Sequence, residues 1–130
     1  MASGQVINVG SIEDTYMLRL AVDAARFGED MLRSAFVGAV AIRRDGALVR
    51  ARNGSSTKVE PSVHAEARVL RKAGAGAKVY VARVKRDGSI GCARPCKWCM
   101  AALKARHVAS VTWAEDAATS GKLTWGKIEL

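Results

Sequence analysis

The sequence predicts an α/β protein in which helices cover both faces of a mixed sheet, and three observations carry that expectation. Helical periodicity and strand-like runs alternate along the chain, an Asp-Gly pair joins two consecutive strands, and 130 residues that are 49% apolar suffice for one core but not for two. From Ser11 to Phe27 the apolar residues Met17, Leu20, Ala21, Ala24 and Phe27 recur at three- and four-residue intervals. With Ser11 as N-cap and Glu13 and Asp14 in the first turn, this is an amphipathic helix. Residues 35–42 and 46–52 read as antiparallel strands turned by Asp45-Gly46. A loop at 53–56 precedes a second helical stretch that begins at Pro61 and stops at Gly74. Residues 78–84 form a buried strand, a polar turn follows at 86–88, and a third helix runs from Pro95 to about His107. Strands at 108–115 and 121–130 complete the order α, β, β, α, β, α, β, β, and residues 1–130 are expected to be a single domain.

Charge narrows the partners. The formal net charge is +9, but residues 43–106 hold sixteen Lys or Arg against four acids, so the middle of the chain carries +12 and the remainder −3. Such a field draws anions, which makes phosphate-bearing molecules the expected partners. The first twenty residues include Glu13 and Asp14 and no long apolar run, so neither a secretory signal nor a membrane span is expected, and the protein is expected to be cytoplasmic. Cys92, Cys96 and Cys99 lie too close together for a disulfide framework and are odd in number. Metal binding is the better use of them.

His64-Ala65-Glu66 is followed, after twenty-eight intervening residues, by Pro95-Cys96-Lys97-Trp98-Cys99. Cys96 and Cys99 are three apart, hence on one face of a helix, and the free amides of a first turn favour the thiolates that bind zinc. One imidazole and two thiolates leave a tetrahedral position open for water, as in catalytic rather than structural zinc sites. Glu66, two residues from His64 at a helix start, is the carboxylate placed to accept a proton from that water and return it elsewhere.

These residues spell H-x-E…P-C-x-x-C, and with them the chain resembles the cytidine and deoxycytidylate deaminase superfamily of zinc-dependent nucleobase deaminases. The resemblance implies a three-layer α/β/α fold with a five-stranded mixed sheet, zinc held by His64, Cys96 and Cys99, and Glu66 as the catalytic acid and base. It further implies that Asn53 bonds the substrate's sugar or base, that the Ala65 amide faces the base's carbonyl, and that Val37-Gly38-Ala39-Val40 lies in the family's first strand. Subunits of this family commonly assemble, so a homo-oligomer is expected. A last strand antiparallel to its predecessor would match nucleoside deaminases, whereas Asn53-Gly54-Ser55 looks more like the deoxycytidylate branch.

The leading functional expectation is therefore hydrolytic deamination of a cytosine-type base in a nucleoside or nucleotide. Two alternatives stand beside it: deamination of cytosine or adenine within single-stranded DNA or RNA, and a non-catalytic zinc module with Cys92 as fourth ligand. Arg94 and Lys97 flank the cysteines and are the basic residues assigned to a substrate phosphate. Trp98 either packs or lines the pocket mouth; Trp113 and Trp125 are expected in the core or an interface, and His107 at a helix C-terminus.

Overall fold

A computed structural model describes residues 6–8, 12–26, 35–52, 65–85, 89–115 and 125–130. Its elements in chain order are β1 (Val6–Asn8), α1 (Ile12–Arg26), β2 (Ala35–Ile42), β3 (Leu48–Arg52), α2 (Ala65–Ala73), β4 (Lys78–Lys85), β5 (Ile90–Gly91), α3 (Lys97–Ala105), β6 (Ser110–Ala114) and β7 (Trp125–Glu129). The strands form one sheet in the order β1-β7-β6-β4-β2-β3, with β5 added to β4. Ser11, Phe27, Pro61 and the turn at 86–88 lie outside the described residues.

Alternation along the strands separates two cores. Ala39, Ala41, Val79, Val81, Val111 and Trp113 point to one face, where Ala65, Val69 and Ala73 of α2 and Leu103 of α3 cover them. Val40, Tyr80, Ala82, Ala114 and Trp125 point to the other, under Met17, Leu18, Ala21 and Ala25 of α1. The fold is thus the expected three-layer α/β/α sandwich. Trp113 and Trp125 are both buried. The Tyr80 hydroxyl donates to Asp14 at 3.1 Å and to Glu13 at 3.4 Å; burial and then these carboxylates push its pKa far up, so it remains a donor.

The strand count departs from five. Among the described residues, β1 adds to the outer edge of β7 through Val6↔Lys127, Ile7↔Gly126 and Asn8↔Trp125, and β5 pairs with the end of β4 beyond the reach of β6. Three and two residues show no periodicity of their own, and they are strands only because an existing edge supplies their hydrogen bonds. The Asp-Gly turn is as read from sequence: Arg43 N donates to Ala47 O at 2.8 Å and Gly46 sits at φ +90°.

Gly38 explains how tightly α1 lies on the sheet. A Cβ at this position would collide with the backbone Ala21 O and Ala25 N of α1, which no side-chain rotation can relieve. Gly38→Ala should therefore force α1 off β2, costing about 3 kcal/mol and lowering the thermal midpoint by roughly 10 °C. A melting curve unchanged from the parent would refute this close approach. No helix among the described residues is long and apolar enough to cross a membrane.

Candidate active site

Strand directions decide where the motif residues meet. β3 and β4 are each antiparallel to β2, and β4 is parallel to β6, so β3, β4 and β6 run the same way. α2 lies between β3 and β4 in the chain and α3 between β4 and β6, and both cover one face, so both helices begin at the carboxyl end of these strands. That end is where open α/β sheets place their ligands. The two helices also pack on each other.

The approach to α3 is fixed by the sheet. Ala93 N donates to Ala114 O at 2.9 Å, tying the segment to the end of β6, and Pro95 is buried behind it. Cys96 is the N-cap of α3 in an extended conformation, and its Sγ accepts from Cys99 N at 3.5 Å. Cys99, one turn on, is buried at 1% exposure, whereas Cys96 is exposed. Two sulfurs therefore share one helix start, one at its cap and one a turn on, and this soft donor pair fits a zinc ion. Ala65, the first residue of α2, is fully buried, and Glu66 follows it in the first turn. His64 and Asn53 lie outside the described residues. Among the described residues no three His, Cys, Asp or Glu side chains converge, and the expected third ligand is not one of those residues.

Around this pair the structure adds a support that sequence reasoning did not single out. The Trp113 indole donates to Glu115 Oε1 at 2.8 Å, and the Arg94 guanidinium lies 5.3 Å from the Trp113 ring centre. A cation on a ring face is held electrostatically, so Arg94 is positioned from β6 just ahead of the cysteines. Trp113 and Glu115, two apart in a strand, share a face; that alternation was the available signal. Lys97 lies 5.3 Å from the centre of the Trp98 ring, and Trp98 is 62% exposed, so it does not pack in the core. Cys92 is exposed, yet the atoms packed around its sulfur push its pKa up and Glu115 adds to the shift. His107 closes α3 in the left-handed region at φ 58°, its N–H donating to Lys104 O at 3.1 Å.

The family model of the cytidine and deoxycytidylate deaminase zinc-binding region matches residues 11–115. The chain belongs to this family. Solved deaminases share its fold: cytidine deaminase from Mycobacterium tuberculosis at 22% identity and TM-score 0.52, over 79% of this chain and 85% of that one. Cytidine deaminase from Burkholderia pseudomallei aligns at 16% identity and TM-score 0.58, over 85% and 89%. A mutant of the Mycobacterium tuberculosis enzyme aligns at 22% identity and TM-score 0.52, over 84% and 88%. No curated protein sequence matches significantly. In this deaminase-family chain β7 pairs antiparallel with β6, through Thr112↔Lys127 and Trp113↔Gly126.

Proposed function

We propose that the protein is a zinc-dependent hydrolytic deaminase that converts a cytosine-type base of a nucleoside or nucleotide into a uracil-type base. The observation that carries this reading is the start of α3, where Cys96 and Cys99 share one turn beside the N-terminus of α2 at the carboxyl end of the parallel strands. The antiparallel β7 favours a free nucleoside or nucleotide over a base within a polynucleotide, since that strand direction resembles the nucleoside deaminases.

His64, Cys96 and Cys99 would hold the zinc, which when bound supplies the Lewis acidity that brings the pKa of water toward neutrality. Glu66 takes a proton from the attacking water and hands it to the ring nitrogen beside the amine-bearing carbon. As the carbon–oxygen bond forms, that carbon becomes tetrahedral; Glu66 then carries the second proton to the amine, the carbon–nitrogen bond breaks and ammonia leaves. Asn53 and the Ala65 amide orient the base, Trp98 forms the rim over it, and Arg94 and Lys97 face a phosphate when the substrate has one. Zinc-loaded protein given cytidine, deoxycytidine and their monophosphates should release ammonia with the accompanying ultraviolet shift from at least one. If none turns over, this reading fails.

A further inference from the structure

The strongest concentration of unassigned charge lies on the far side of α2 from the cysteines. β3 is the edge of the sheet, and α2 leans over it: Arg68 Nη1 donates to Arg52 O at 3.3 Å and Lys72 Nζ to Arg50 O at 3.1 Å. These two cations cover edge carbonyls that would otherwise invite another strand. They also bring Arg68, Arg71 and Lys72 against the backbone of Arg50 and Arg52, whose side chains, paired in register with Val40 and Gly38, turn to the α1 face, and the five line a groove of about 730 Å³ that wraps round the edge to Ala24 of α1. No carboxylate lines it among the described residues. Like charges gathered in a concave surface raise one another's energy unless an anion joins them.

The groove has an apolar continuation. A second cavity of about 230 Å³ shares Arg50 with it and is lined by Tyr16, Leu20 and Leu48, of which Tyr16 is 59% and Leu48 54% exposed. Cations that track phosphates beside an aromatic ring free to stack a base are the two parts of a single-strand binding surface. A lone phosphate would use only some of the five cations and leave the ring idle. Arg68 and Lys72 turn toward β3, whereas α3 lies on the opposite flank of α2, so the surface is separated from the cysteines by the width of a helix, about 10 Å.

We infer that the groove along β3 and α2, with Tyr16 beside it, binds the phosphates and bases of a single-stranded nucleic acid independently of deamination. Fluorescence anisotropy with a short labelled oligothymidylate tests this, because thymine has no exocyclic amine and turnover plays no part. Arg50→Gln with Arg71→Gln spares the two cations bonded to the sheet edge; the affinity should fall and the salt slope should shrink by about 1.4, near 0.7 for each cation removed. Tyr16→Ala should weaken binding at least about fivefold. Lys104→Gln with Arg106→Gln, at the end of α3, removes the same charge elsewhere and should leave the affinity close to that of the parent. Equal loss in both double variants would mean a general basic field and would overturn the proposal. So would an absence of binding at low salt, or a Tyr16→Ala protein that dissociates an oligomer while holding the oligonucleotide normally. Deamination of a free nucleoside should persist in the groove variants, so failure of this site and failure of the deaminase reading are separate results.

Discussion

Glu66→Gln should lower turnover by about four powers of ten while zinc content and thermal midpoint stay near the parent values. The substitution keeps the size of the side chain and its capacity to hydrogen-bond, but an amide cannot take a proton from water at neutral pH. A general acid–base group ordinarily contributes two to four powers of ten. In the proposed mechanism one carboxylate serves the attack, the ring nitrogen and the leaving amine, so the upper end is expected. Position 66 is in the first turn of α2, and Gln is as good a helix former as Glu, which leaves little reason for the fold to respond. The check is kcat on the substrate identified by the nucleoside panel, alongside metal analysis and a melting curve. Near-normal kcat in a zinc-loaded Gln variant would remove Glu66 from the mechanism.

How far such a site is legible depends on whether its parts are local in the chain. The spacing of Cys96 and Cys99 is one helical turn, so a short stretch contains both the helix start and the donor pair. The helix at Ile12–Arg26, the turn at Gly46 and the strand at Lys78–Lys85 are legible for the same reason, since periodicity and turn chemistry are properties of neighbouring residues. β1 and β5 are not, because their order comes from the strands they join. The direction of β7 was equally out of reach, depending on how the chain returns after β6 rather than on any residue in either strand. The basic groove escaped because Arg50 and Arg52 belong to a strand and Arg68, Arg71 and Lys72 to a helix; only the fold puts them together. Gly38 was noticed as part of a family-like run, but its cause, the backbone of α1 lying across it, is tertiary.

Cys96→Ser should separate the cap role that the structure shows from the ligand role proposed for this residue. As N-cap of α3 its sulfur accepts the Cys99 N–H at 3.5 Å, a task that a serine hydroxyl performs better, since Ser is among the preferred N-cap residues and sulfur is a weak acceptor. The metal-free variant should accordingly be as stable as the metal-free parent, or more so by about 0.5 kcal/mol. As a zinc ligand, by contrast, a neutral hydroxyl is no substitute for a thiolate, and the two remaining protein ligands hold the ion poorly. Dialysed Cys96→Ser should retain little zinc where the parent keeps one per chain, and activity should fall by at least about three powers of ten, because Lewis acidity contributes several kcal/mol to the barrier. A chelator should lower the midpoint of the loaded parent and leave that of the variant unmoved, since bound metal is folding free energy. Cys99→Ala should lose zinc in the same way, but it also empties a buried position and should be less stable even without metal, by about 1 kcal/mol. A Cys96→Ser protein that keeps its zinc and its turnover would show that the sulfur serves only as a cap, and the donor set proposed for this site would have to be drawn elsewhere.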